Sequence, residues 1–369
     1  MLQNLDEQER KAWEFVKDLT LEYCNKMYKR LSVLLDNDDV RGESFYKDRL
    51  AGIVEQLKTD VNVHATESNG AMCVFLDGFK NKNNEPLPFI IQKSDGAFLY
   101  ATTDLAAMKY RIDELKAKRI IYVTDARQKL HFQMLFNTTE VAEWKDDSIE
   151  LKHVTFGSVL GDDGKPLKTR SGENINLSDL LDEAVMRAKT VVKSKNPNLS
   201  DAKKDIIANA IGIGAIKYAD YSNNRESDYV FSFDKMLAME GNTAPYMQYA
   251  YARVKSIERK AEQKGIDIAG ELAAITNVEL TKPAELDLAK HLLRYSEAID
   301  TAAADCRPNY LTAYLYDLAQ KFSTFYNACP VLIAEPSQRP TRVLLCDLTA
   351  RIMKHGLGEL LGIDVVEQM

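Results

Sequence analysis

The chain has 369 residues, 45% apolar and 28% charged, the proportions of an ordinary soluble globular protein with length for two or three domains. Its five cysteines are scattered, with no CxxC pair and no histidine at ligand spacing, which argues against a disulfide framework or a structural metal and for a reducing compartment. The formal charge of −7 requires any polyanionic partner to meet a local basic face on an acidic body. No apolar run approaches the roughly 20 residues of a membrane span, and no signal-peptide pattern opens the chain, so a cytoplasmic location is the default expectation.

Residues 1–35 read as one long helix or two, because Trp13, Val16, Leu19, Tyr23, Met27 and Leu31 recur at steps of three and four between charged positions. Asp36-Asn-Asp-Asp39 breaks that pattern, and 44–58 restores it with Phe45, Leu50, Ile53, Val54 and Leu57. Met72–Leu76 and Phe89–Gln92 read as strands joined by a polar, turn-rich segment. Residues 1–90 hold no Gly-rich strand-to-helix turn, so they read as an α+β insertion rather than a phosphate site.

From 90 to 160 strands and helices alternate. Strand 97–100 leads to a helix at about 103–117, strand 120–124 to a helix at about 128–143, and a last strand spans 153–160. Such alternation implies βαβ units and a parallel sheet. Ligands of such sheets sit at the carboxyl ends of the strands, where Tyr100, Asp104 and the Gln128–His131 pair fall. Asp104 could accept the two parallel donors of a guanidinium, with Tyr100 and Gln128 adding polar contacts. It could equally cap its own helix.

The stretch 153–172 begins with apolar residues around Val154, Phe156 and Val159 and turns through Gly161-Asp-Asp-Gly164. Lys165, Lys168 and Arg170 follow. A Gly-flanked loop with alternating cations after a strand suits a nucleoside triphosphate, whose developing charge Lys and Arg can stabilise. A solvated basic hairpin would look the same.

Beyond 177 the chain reads as helical, with helices at 178–195 and 201–219, a polar irregular stretch at 220–235, and a bundle from about 236 to 365. Breaks are expected near Gly265, at Lys282-Pro283, at Arg307-Pro308 and across Pro330–Pro340. Ile211-Gly-Ile-Gly214 lies inside a helix with no strand before it, so close helix packing is expected there rather than a dinucleotide loop. Tyr246, Tyr249 and Arg253 share a face of the helix that starts after Pro245. Aromatics beside an arginine suit the splayed bases of single-stranded RNA, although bundle tyrosines are commonly core.

Gly164-Lys-Pro-Leu-Lys-Thr-Arg-Ser-Gly172 resembles the degenerate KMSKS loop of arginyl-tRNA synthetases, a class I aminoacyl-tRNA synthetase family. Asp38–Tyr46, Tyr100-Ala-Thr-Thr-Asp-Leu-Ala106, Gly212–Asp220 and Gly241–Arg253 resemble the same family in the same order, so the likeness runs from about Leu5 to Met369. The resemblance implies a fold in the α/β plus all-α class, with part of a Rossmann-type parallel sheet followed by a helical anticodon-binding bundle. The expected divisions are an inserted region at 1–90, the second half of the nucleotide-binding domain at 91–176, a helical connection at 177–235 and the anticodon-binding domain at 236–369.

The resemblance also implies roles. Tyr100, Asp104 and Gln128 would bind arginine. His153, Phe156, Gly157 and Val159 would support the adenine of ATP, although Phe156 and Val159 could also be core residues. Lys168, helped by Lys165 and Arg170, would stabilise the leaving pyrophosphate, with Mg2+ on the phosphates and no side-chain nucleophile. Tyr246, Tyr249, Arg253 and Met369 would contact the anticodon loop of tRNA(Arg), with Lys217, Tyr221, Asn223, Asn224 and Arg225 as weaker RNA contacts.

The family's His-x-Gly-His signature is absent from the five histidines (His64, His131, His153, His291, His355), as is the N-terminal tRNA-binding domain. The expectation is therefore a C-terminal portion of a synthetase that binds ATP and arginine poorly alone and exposes a strand edge prone to self-association. The alternative is a non-catalytic module that retains only anticodon recognition.

Overall fold

The computed structural model describes residues 7–161, 163–165 and 176–369. Contacts divide the chain into one unit of Met1–Tyr23 with Leu35–Gly157 and another of Cys24–Leu34 with Ser158–Met369. Helix α1 (Glu7–Arg30) gives its first part to the former and its last residues to the latter. It is one helix whose apolar stripe lies open: none of its residues is buried, and Val16 and Leu19 are 59% and 58% exposed.

In the first unit a 3-10 turn (Glu43–Arg49) precedes α2 (Leu50–Thr59), which buries Leu50, Ile53, Val54 and Leu57 at helical steps. A three-stranded antiparallel sheet follows, formed by β1 (Thr66–Ser68), β2 (Ala71–Lys80) and β3 (Pro86–Gln92). The β2–β3 turn is built on Asn81, whose side-chain oxygen accepts from the Asn83 and Glu85 amides. Val74 and Ile91 point inward and join Leu57, Leu105, Met108 and Leu135 in the core.

The strand expected at 97–100 does not form. Lys93–Ala97 makes a tight turn with Gly96 at φ +83, leaving one bridge between Gln92 and Phe98 before Tyr100 opens α3 (Tyr100–Asp113). The turn consumes the residues a strand would need. Strand β4 (Arg119–Asp125), helix α4 (Lys129–Val141) and strand β5 (Glu150–Phe156) then make a βαβ crossover, with β4 and β5 parallel from Arg119 opposite Glu150 to Asp125 opposite Phe156. Ile121 and Val123 of β4 stay exposed.

The single strand expected at 153–160 is also corrected: β5 ends at Phe156, and Val159–Leu160 is a separate short strand, β6, in the second unit. The Ser158 amide donates to the Asp228 carboxylate at 2.6 Å, so the ladder is interrupted there. Helices α5 (Leu177–Lys195) and α6 (Asp201–Ser222) follow; Ser200 caps α6 through the Lys203 amide. A Cβ on Gly212 would lie 2.7 Å from the Val185 Cα, so the glycine permits the α5–α6 backbones to approach. The stretch 220–235, expected as irregular, contains strand β7 (Tyr229–Val230), parallel to β6, and a short helix α7 (Phe233–Met236).

The bundle comprises α8 (Ala244–Gln263), α9 (Ile268–Ala273), α10 (Pro283–Leu292), α11 (Tyr295–Asp305), α12 (Pro308–Ala328) and α13 (Arg339–Lys354), closed by a π-helical turn at His355–Leu360. The breaks fall where Gly265 takes φ +68 and where Pro283 and Pro308 open helices. The α10–α11 break at 293–294 has no proline or glycine to announce it. Met247, Val254, Leu288, Leu315, Phe322, Phe325 and Met353 form the core. Inside it, Arg342 donates from Nε to Glu285 at 2.6 Å, with the two side chains 5% and 1% exposed.

Candidate functional site

Helix α3 is pinned at its start. Thr102 accepts the Leu99 amide at 3.3 Å and donates to the Ile91 carbonyl of β3. This places Tyr100, 74% exposed, at the first helical position and Asp104 one turn later on the same side. Asp104 therefore does not cap the helix. Its Oδ2 lies 2.7 Å from Nε2 of His131 on α4. An ionised carboxylate only accepts, so Nε2 is the donor of the pair. Gln128, the exposed residue preceding α4, stands three positions before His131, and the same helix end serves both. No lysine or arginine among the described residues is paired with Asp104. The His131–Asp104 pair went unforeseen. Its one signal in the sequence is the placing of both residues just after strand ends.

Tyr100 also borders a cleft of 960 Å³ in the first unit, whose walls carry Arg10, Lys17, Lys47 and Lys93 with Trp13, Phe45 and Phe98. Cations interleaved with rings suit a nucleotide strand.

His153 lies on β5, 2.7 Å from the Thr124 hydroxyl, with its ring 4.6 Å from Phe132. Burial, and then the charges of Lys129 and His131, push its imidazole below the ordinary histidine range, which favours the neutral ring. Phe156 ends β5 43% exposed, so it is not core, and Gly157 follows it. Val159, in β6, packs on the cluster of Ala215, Phe231 and Met236. Lys165 is exposed on a turn in which the Gly161 amide donates to the Lys165 carbonyl and the Gly164 amide to the Gly161 carbonyl, with Gly164 at φ +71. Lys168 and Arg170 lie outside the described residues.

In the second unit α8 begins with Thr243 capping the Tyr246 amide and Pro245 in the first turn. Tyr249 is 39% exposed. The Arg253 guanidinium sits 4.7 Å from the Tyr249 ring and 5.2 Å from that of Tyr326, and donates to the Tyr249 hydroxyl and to Ser323. Tyr246 faces Tyr316 at 5.8 Å, and burial raises its phenol. The platform is thus shared with α12. Tyr316, Ser323 and Tyr326 were not foreseen, although they recur at helical steps along the border of the apolar stripe of α12.

Met369 is not on this platform. It packs against Ala188, Val192, Ile207 and Ile211. The segment before it lies on another side of α8, where Gln248 donates to the Asp364 carbonyl and Arg259 to that of Glu367. Lys217, expected to meet RNA backbone, is 8% exposed, and its ammonium donates to the carbonyls of Leu31 and Gly362. Burial lowers its proton affinity, and the cation is spent inside the unit. Arg225 similarly donates to the Cys306 carbonyl, and Asn223 to that of Ala219.

A family model described as "tRNA synthetases class I (R), catalytic domain" matches residues 1–233, and one described as "DALR anticodon binding domain" matches residues 247–369. The arginine-tRNA ligase of Psychromonas ingrahamii is 50% identical over 360 residues, which are 97% of this chain and 60% of that protein. That of Chromobacterium violaceum is 48% identical over 368 residues, 100% of this chain and 62% of that protein. The crystal structure of the arginyl-tRNA synthetase from Plasmodium falciparum matches with a TM-score of 0.84 at 30% identity, over 100% of this chain and 60% of that one. The chain thus spans about 60% of the length of the curated relatives it matches. Its parallel β4–β5 crossover, the helical bundle that follows in sequence and both family models agree, and the chain belongs to the arginyl-tRNA synthetase family of class I.

Proposed function

We propose that this chain carries the arginine recognition, the pyrophosphate-stabilising loop and the anticodon contacts of an enzyme that attaches arginine to tRNA(Arg) using ATP. The observation that carries this reading is Asp104, a half-exposed carboxylate one turn after Tyr100 and next to the helix end that bears Gln128. A carboxylate unpaired with any described lysine or arginine can take a guanidinium in two parallel hydrogen bonds. In this reading the carboxylate of arginine attacks the α-phosphate of ATP, which enters with Mg2+ as its substrate complex. The O–P bond to α-phosphate forms, and pyrophosphate leaves as Lys168, with Lys165 and Arg170, neutralises its charge. His153, Phe156 and Gly157 then support the adenine, and the 2′- or 3′-hydroxyl of the tRNA end displaces AMP.

The platform of Tyr246, Tyr249 and Arg253 takes unstacked bases of the anticodon loop. The basic, aromatic cleft beside Tyr100 suits the single-stranded end of the same RNA. We place the work in the cytoplasm, and we assign residues 1–90 to an inserted region, 91–176 to the second half of the nucleotide-binding domain, 177–235 to the connection and 236–369 to anticodon binding.

Arginine- and tRNA-dependent exchange of pyrophosphate into ATP by the whole polypeptide tests the reaction. Asp104→Asn should abolish use of arginine while the protein still binds arginine tRNA in preference to a non-cognate tRNA at fixed salt. An unchanged arginine affinity in that variant would remove Asp104 from the site.

A further inference from the structure

We propose that His131 is the positioning residue of Asp104: it fixes the plane of the carboxylate and so sets the preference for a guanidinium over an ammonium. This rests on the reading of Asp104 as the partner of the substrate side chain. A carboxyl group turns about a broad, soft terminal torsion, and a half-exposed aspartate on a helix would sample many planes. Here Oδ2 is tied at 2.7 Å to Nε2 of a ring that is itself held, 5.8 Å from Phe89 of β3 and edge-on to Phe132 at 5.1 Å. Oδ1 has no partner among the described residues.

The identity of the donor matters. A lysine or arginine in that place would fix the carboxylate and also neutralise it, which would repel the substrate. The His131 imidazole donates through Nε2 to one oxygen and leaves Oδ1 open to the substrate. Arg111, two turns further along α3, donates instead to the Tyr122 hydroxyl at 2.7 Å. A guanidinium needs two acceptors in one plane, whereas an ammonium accepts any direction of approach. Holding the plane therefore helps arginine and does little for lysine.

The test uses the chain itself, with arginine and lysine each titrated to high concentration because the chain is expected to bind arginine poorly alone. Long-range proton–nitrogen NMR of the histidine rings should show His131 as the Nε2–H tautomer, and Asp104→Ala should release it to a mixture. Arginine, but not lysine at equal concentration, should shift the His131 ring and the amides of α3. His131→Leu should weaken arginine binding by roughly tenfold, about the worth of one charge-assisted hydrogen bond, and leave lysine unaffected. His131→Gln, which keeps a donor at the end of the side chain, should restore most of the loss. A ring that samples both tautomers and ignores Asp104→Ala would overturn the positioning role alone, as would full selectivity in His131→Leu. An intact pair that responds to neither amino acid, or to both equally, would instead overturn the arginine reading of Asp104, and the inference with it.

Discussion

Helix α12 buries Leu311, Leu315, Leu318, Phe322 and Phe325 along one side, whereas α1, of similar length and with an apolar stripe of its own, buries nothing. In the second unit α12 is covered by α8, α10 and α13, and the border of its buried side holds Tyr316, Ser323 and Tyr326 against Tyr246 and Arg253. A helix anchored by its apolar side holds the residues bordering that side with little freedom, which is what stacking on a base requires. The open side of α1 adds surface, with little contribution to folding free energy. The two helices differ in their neighbours far more than in their periodicity.

The largest effect should come from breaking the anchor of the bundle. Arg342→Ala leaves Glu285 buried without its cation and should cost about 3–5 kcal/mol of unfolding free energy in urea titrations. Burial opposes ionisation of Glu285, but the bond from Arg342 and the amides of Lys282 and Thr281 outweigh it and hold the carboxyl below its usual range. A depressed folded value means that this stability is present above the ordinary carboxylate range and is lost as pH falls through the folded one. The acid-side loss should therefore be steeper in the parent than in Arg342→Ala.

Phe322→Ala, which opens a cavity on the buried side of α12, should cost roughly 3–5 kcal/mol on the same measurement. An effect below a third of that would mean the bundle collapses readily around the gap. On the presenting side, Tyr249→Ala should leave unfolding nearly unchanged and weaken binding of arginine tRNA by about 1–3 kcal/mol in filter binding at fixed salt, the worth of one stacked base. Equal affinity of variant and parent would return the tyrosine to a packing role. Leu19→Ala on α1, 58% exposed, should change unfolding by no more than about 0.5 kcal/mol. A large loss there would show that the open stripe is covered in solution and would erase the contrast between the two helices.

The shared helix faces on which the candidate site rests were legible because they depend on local spacing. Tyr100 and Asp104 at i and i+4, and Tyr246, Tyr249 and Arg253 at three- and four-residue steps, share a face of any regular helix, whatever surrounds it. The α4 crossover was legible for the same reason, since a helix between two β-rich runs leads to parallel pairing. The failed strand at 97–100 and the split of 153–160 are of another kind. Both depend on where a turn or a distant carboxylate, Asp228, captures a backbone amide, and no periodicity records that. The cation expected on RNA, Lys217, was lost to two carbonyls far away in the chain, at Leu31 and Gly362.

By itself the sequence determined which residues share a helix face, where proline and glycine end the helices, and the order of motifs that marks the family. Those are properties of a few consecutive dihedrals and side chains. Only the tertiary structure decided that the α1 stripe stays open while that of α12 is buried, that Met369 packs away from Arg253, and that His131 meets Asp104. Each of these requires two segments remote in sequence to arrive at one place, and burial, ion pairing and hydrogen-bond direction take their values only once both have arrived.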